Sequence, residues 1–168
     1  MSLKKPEMKT KKIEKVLIAL DFDPSAQKVA DSGYLLAKAM DAEVVLLHII
    51  SDPVFYSSAD FSPITGFGDY MGMVPMQSDN IEAIRDASMH FLEKIKKHLG
   101  DESIATVVED GDMAVTIINT SKALHAGIIV MGSHSRKWLE DVVMGSVTRE
   151  VLHHTTLPVY IIPTKKRS

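Results

Sequence analysis

Five short apolar runs, at 16–20, 44–50, 104–108, 128–131 and 159–162, constrain this chain most. They are near-continuous and rich in Val and Ile. A strand with one wet face alternates apolar and polar residues. Runs without alternation predict burial on both faces, hence a parallel sheet covered by helices. Helical patterns fill the intervals. Region 25–40 opens at Pro24-Ser25 and spaces Val29, Leu36 and Met40 about a turn apart. Region 79–99 begins with Asp79 and Glu82 in capping-box spacing and carries one stripe of Ile81, Ile84, Phe91, Leu92, Ile95 and Leu99 before Gly100. Region 112–125 is entered through Gly111, and 146–154 closes before Pro158. With right-handed crossovers this order predicts an α/β fold: an open, doubly wound, five-stranded parallel sheet of Rossmann-like type. Ligands of such sheets sit at the carboxyl ends of the strands, where the winding reverses.

Composition narrows the function. A chain of 168 residues, 45% hydrophobic and 24% charged, suits one soluble globular domain. We expect that domain over 15–163, flanked by basic tails at 1–14 and 164–168, with a long insert at 51–78. Zero cysteines exclude disulfides, thiolate metal sites and cysteine nucleophiles, and fit a cytoplasmic protein. A formal charge of −3 supplies no global basic field for nucleic acid. The first apolar run ends at Asp21, too short for a secretory core or a membrane span, so no membrane partner is expected. The insert holds Pro53, Pro63 and Pro75, with Phe55, Tyr56, Phe61, Phe67, Tyr70, Met71, Met73 and Met76, and no Lys or Arg. It reads as a lid or partner surface, or else as a floppy insert.

The richest stretch chemically is IIVMGSHSRKWLEDVVMGSV at 128–147. A strand ends at Met131, the chain turns at Gly132-Ser133, and Gly145-Ser146 opens another helix thirteen residues after Gly132. Glycine turns expose backbone N–H groups, and a helix N-terminus adds partial positive charge. Two such elements facing each other would cradle phosphates. Ser133, His134, Ser135 and Ser146 would add side-chain donors, and Arg136 and Lys137 charge. The bland alternative is an ordinary strand-to-helix connection with a polar rim.

These residues resemble the universal stress protein family. IVMGSH, the second glycine pair and SVTREVLHHTTLPVYIIP look like its C-terminal signature, and VLIALDFDPSA, VVLLHII and VEDGDMAVTII match earlier segments. The family's nucleotide motif is Gly, two residues, Gly, nine residues, then Gly with Ser or Thr. Gly132, Ser135, Gly145 and Ser146 stand at those places, with Ser135 replacing the middle glycine. Trp138 stands where a small residue is usual, and Gly127 where an acid is usual. The resemblance implies a homodimer through the last strand, with Val159 and Ile161 in it, and bound ATP or AMP, with or without Mg. It implies that Ala19, Leu20, Asp21 and Ile49 line the adenine and ribose side. Met131 and Gly132 would lie under the sugar and phosphates, and His134, Ser135, Gly145, Ser146, Val147 and Thr148 would hold the phosphates. The expected role is a stress-response or regulatory module with an unidentified protein partner. No general base is placed near a γ-phosphate, so no catalytic residue is assigned to slow hydrolysis or self-phosphorylation.

Two alternatives remain. One is a nucleotide-free dimeric adaptor of the same family. The other is a Mg²⁺-dependent phosphatase of haloacid-dehalogenase type, because Asp21-Phe22-Asp23 follows an apolar strand. There Asp21 would be the nucleophile, Asp23 the acid, Ser51 a phosphate hydroxyl and Lys96 or Lys97 the clamp, with Glu109, Asp110 and Asp112 on the metal. The order fits, but Thr116 stands where a second metal carboxylate is needed. Among the histidines, His48 reads as a hydrogen-bonded core residue and His153-His154 as a helix-end pair. His90 and His98 read as part of a solvated face.

Overall fold

The computed structural model describes residues 10–51, 81–133 and 144–164. The strands are β1 (Lys15–Ala19), β2 (Glu43–Ile50), β3 (Ala105–Asp110), β4 (Ile128–Gly132) and β5 (Val159–Ile162). The helices between them are α1 (Ala26–Ala39), α2 (Ile81–Leu99), α3 (Met113–Ala123) and α4 (Ser146–His154). Every pairing is parallel, and the order across the sheet is β3-β2-β1-β4-β5. The chain steps outward from β1 to β3, then returns to the other side of β1 as β4. The winding therefore reverses between β1 and β4.

The apolar runs are buried on both faces, as their lack of alternation predicts. Val16, Ile18, Val44, Leu46, Ile128 and Val130 turn to the layer that holds α1 and α2. Leu17, Val45, Leu47, Ile49, Ile129 and Met131 turn to the layer that holds α3 and α4. The elements fall within a residue or two of their expected bounds. Asp79 lies outside the described residues. Ile81, expected in the α2 stripe, is half exposed, because it sits a turn beyond Ile84, which is buried.

The packing of α1 differs from its apolar spacing. Val29 is buried, but the rest of the contact stripe is Ala26, Ala30, Gly33 and Ala37. Small residues let the helix axis lie close to β1 and β4. A Cβ on Gly33 would come within 2.7 Å of the Ile18 Cδ1 and 3.0 Å of the Val130 Cγ1. Gly127, at the start of β4, is equally confined: a Cβ there would lie 2.8 Å from the Ile13 Cγ2. Ile13 therefore occupies the space an acidic side chain would need.

Asp101 ties α1 to the turn before β3. Its carboxylate accepts from the Lys38 ammonium at 2.8 Å, the Tyr34 hydroxyl at 3.0 Å and the Ser103 amide at 3.0 Å. The Lys38 hydrogen bond, then those from Ser103, hold the carboxyl well below the usual aspartate range. A folded-state pKa lowered in this way adds stability above the ordinary carboxylate range, and that contribution fades as pH falls through it. The melting temperature of wild type should exceed that of Asp101→Asn at neutral pH, with the gap shrinking below about pH 4. A gap unchanged between neutral pH and pH 3 would remove this account.

Candidate functional site

Where the winding reverses, the carboxyl ends of β1 and β4 part and leave a cleft. One wall is the end of β1 with Ala19, Leu20 and Asp21, and Leu47 and Ile49 lie beside it on β2. The facing wall is Met131 and Gly132 of β4, with Gly145, Val147 and Thr148 from the start of α4. Thus nine of the twelve expected site residues line one cleft. Ser146 lines an adjoining cleft with Ser51, Asp112, Glu150 and His154, and the two share Met113 and Val147. His134 and Ser135 lie outside the described residues, as do Arg136, Lys137 and Trp138.

The turn after β1 is built to hold Asp21 at the rim. Leu20 donates its amide to the Leu47 carbonyl at 2.8 Å, which extends the β1–β2 pairing by one residue. The His48 Nδ1 donates to the Leu20 carbonyl at 2.9 Å. The carbonyl can only accept, so that nitrogen carries the hydrogen. His48 is fully buried, as expected of a core histidine, and its ring lies 3.9 Å from that of Phe22. Phe22 in turn meets Phe91 edge-on at 4.8 Å. With Phe22 pinned inward, Asp21 is left half-buried at the cleft, its Oδ1 accepting from the Phe22 amide at 2.9 Å. Asp23 closes the turn by accepting from the Ser25 amide at 2.8 Å.

The turn after β4 is braced by backbone. Ser133 donates its amide to the Ile162 carbonyl at 2.9 Å, and its Oγ accepts from the Thr164 amide at 3.1 Å. Gly145 donates to the Ser133 carbonyl at 2.7 Å, and the Thr148 hydroxyl donates to the Gly132 carbonyl at 3.0 Å. Three expectations change here. The Gly145 amide is committed to Ser133 rather than turned to a ligand. The Ser133 hydroxyl joins the end of β5. The Thr148 hydroxyl fastens α4 to the turn.

The start of α4 stays open. The first N–H groups of a helix have no partner within it. At α3, Asp112 meets that need by accepting from the Val115 amide at 3.0 Å. At α4 the N-cap is Gly145, with φ −65° and ψ 160°, and among the described residues no side chain caps it. The amides of Ser146, Val147 and Thr148 therefore carry the helix's positive end toward the cleft.

Sequence reasoning missed the α3 side of the cleft, where Met113 and Ile117 supply apolar surface. The signal was the Gly111 turn, φ +133°, which starts α3 at the carboxyl edge of the sheet. Of the acidic residues in the phosphatase alternative, Asp112 caps α3 and Asp110 pairs with Arg85. Among the described residues no three His, Asp or Glu side chains form a group that could hold a metal. His154 faces Glu150 at 3.3 Å, and His98 faces Asp31 at 2.9 Å. No described helix is long and apolar enough to cross a membrane.

The reversal between β1 and β4, the cleft there and the helix that begins beside it define a doubly wound α/β domain with a cleft at its topological switch point. The Universal stress protein family matches residues 12–163, and the chain belongs to that family. It is similar to universal stress protein YxiE of Bacillus subtilis, 27% identical over 154 residues that cover 88% of this chain and 97% of that one. It is similar to universal stress protein MJ0577 of Methanocaldococcus jannaschii, 26% identical over 156 residues, 90% of this chain and 96% of that one. The solved structure of MJ0577 superposes with a TM-score of 0.68 at 23% identity, covering 94% of this chain and all of that one. A universal stress protein solved in complex with cAMP superposes with a TM-score of 0.62 at 15% identity, covering 92% of this chain and all of that one.

The His48 brace makes a testable claim. His48→Leu leaves the Leu20 carbonyl without this donor, at a cost of about 1–3 kcal/mol in urea unfolding. His48→Asn, with an amide donor near the place of Nδ1, should recover part of that loss. Equal stability of wild type and His48→Leu would show the hydrogen bond to be incidental.

Proposed function

We propose that this chain binds an adenine nucleotide, ATP or AMP, across the carboxyl ends of β1 and β4, and acts as a regulatory or stress-response module. One observation carries the reading: a cleft of apolar and carboxylate walls ends at an uncapped helix start. The adenine and ribose would lie against Ala19, Leu20, Ile49, Met113 and Met131. Asp21 would accept hydrogen bonds from the ribose or the adenine amine. The phosphates would meet the amides of Ser146, Val147 and Thr148, with Gly132 and Gly145 allowing close approach. His134 and Ser135 keep the phosphate role the family motif implies. Mg²⁺, if present, would ride on the phosphates, because Asp21 and Asp23 are the carboxylates lining the cleft. The cAMP complex of a structural neighbour supports a ligand of this class. The domain carrying the site is taken as 15–163, with the basic flanks outside it.

Calorimetric titration with ATP and AMP tests the site. Gly145 has an extended backbone that any residue can adopt, so Gly145→Val should keep the fold. Its side chain would stand beside the first-turn amides and weaken binding at least about tenfold, which is about 1.4 kcal/mol. Unchanged affinity in Gly145→Val would place the nucleotide elsewhere.

The adaptor reading draws on the sheet edge. β5 ends the sheet, with Tyr160 41% exposed and Val159 and Ile161 half-buried. An apolar edge of this kind favours pairing with a second copy about a two-fold axis. Wild type should sediment near twice 18.5 kDa, and Ile161→Lys should shift it toward monomer. A monomer at high concentration would exclude this dimer, and no heat of binding at millimolar nucleotide would favour the adaptor over the nucleotide reading.

A further inference from the structure

The two edges of the sheet are finished differently. Gly111 donates its amide to the Ile50 carbonyl of β2 at 3.1 Å. Backbone groups alternate in direction along a strand, so the odd positions of β3 turn theirs to β2. Thr106, Val108 and Asp110 then turn theirs to the open edge. All three positions are fastened to α2. Arg85 donates to the Val108 carbonyl at 3.0 Å and pairs with the Asp110 carboxylate. The Thr106 hydroxyl donates to Glu93 at 2.8 Å, with the Met89 sulfur 3.3 Å away. Arg85, Met89 and Glu93 are four residues apart, one stripe of α2 laid along the edge.

At β5 the pattern is reversed. Ile129 donates to the Pro158 carbonyl and Ser133 to the Ile162 carbonyl, so Val159 and Ile161 turn their backbone groups outward. Among the described residues no side chain hydrogen-bonds to those groups.

We propose that Arg85 guards the β3 edge against a strand from a second copy of this chain, so that pairing between copies is confined to β5. A strand adding to β3 would lie about 4.8 Å away and need the Val108 carbonyl as an acceptor. The guanidinium already occupies that acceptor, and displacing it would strip Asp110 of its partner. A chain with two open edges would pair end on end into a growing ribbon, while one guarded edge closes assembly at two copies. The inference is independent of nucleotide. The Arg85 contacts block the β3 edge whether or not β5 pairs.

Sedimentation over a concentration series tests it with Arg85→Ala and Arg85→Met, the second keeping the apolar stem. Circular dichroism shows which variant is folded, and either folded variant decides. The expected result is species of at least double the wild-type mass, growing with concentration, whether wild type is monomer or dimer. Adding Thr106→Lys should reverse this, since a charge on the edge blocks pairing again. A folded Arg85→Met with the wild-type distribution would overturn the proposal. So would association that Thr106→Lys leaves untouched, which would assign it to exposed apolar surface rather than to the edge.

Discussion

A central parallel strand covered by helices on both faces has no wet side, and the rest of this structure follows from that. Val16, Leu17 and Ile18 of β1, and Ile129 and Val130 of β4, are wholly out of solvent. Residues in such strands can do little but pack. Polar function is therefore displaced to the strand ends, where the chain leaves the sheet and backbone groups lose their ladder partners. β1 has a neighbour reached by α1 on one side and a neighbour reached by the return of the chain on the other. Between β1 and β4 the loops run apart, and there the fold leaves a cleft at the carboxyl edge.

That opening must be held without filling it, and two kinds of support do so. On the β1 side, buried side chains hold the turn: His48 takes the Leu20 carbonyl, and Phe22 is clamped against His48 and Phe91. On the β4 side, the backbone holds it: Gly145 bonds to Ser133, and Ser133 to Ile162. Thr148 adds one side-chain hydroxyl, spent on Gly132. Supports made of backbone groups take up less of the cleft than side chains would. The φ of Gly145 is one that any residue can adopt, so the backbone conformation does not by itself require glycine there.

The sheet was legible in the sequence because burial on both faces leaves a direct trace, a Val/Ile run without alternation. The starts of α3 and α4 were legible too, because the Gly111 turn and the Gly145-Ser146 pair mark them locally in sequence. The contact surface of α1 was not. Ala26, Ala30, Gly33 and Ala37 carry little hydrophobic signal, and their value lies in what they omit, which shows only against Ile18 and Val130. Nine of the residues that the resemblance to known motifs singled out line one cleft. Met113 and Ile117 escaped notice because an apolar residue at a helix start reads as core from either side. The commitment of the Gly145 amide was beyond sequence reasoning, since its acceptor is the backbone of Ser133, twelve residues away.

The contrast between α3 and α4 bears most directly on what the cleft can hold. Both helices begin at the carboxyl edge, and both point a positive end outward. Asp112 brings its own anion to α3 and satisfies that end within the chain. Gly145 brings nothing to α4. An uncapped start typically costs a helix about 1 kcal/mol relative to Ser, Asp or Asn at the same place, though glycine itself loses only a few tenths. The small penalty at α4 leaves amides facing a cleft that already has an apolar wall and a half-buried carboxylate at its far end. Charge is thus sorted along the cleft, with the carboxylates of Asp21 and Asp23 by β1 and helix-positive amides by β4. The ends of the cleft therefore differ in what they offer: acceptors by β1, donors by β4, and the apolar surface of Ile49, Met113 and Met131 between them.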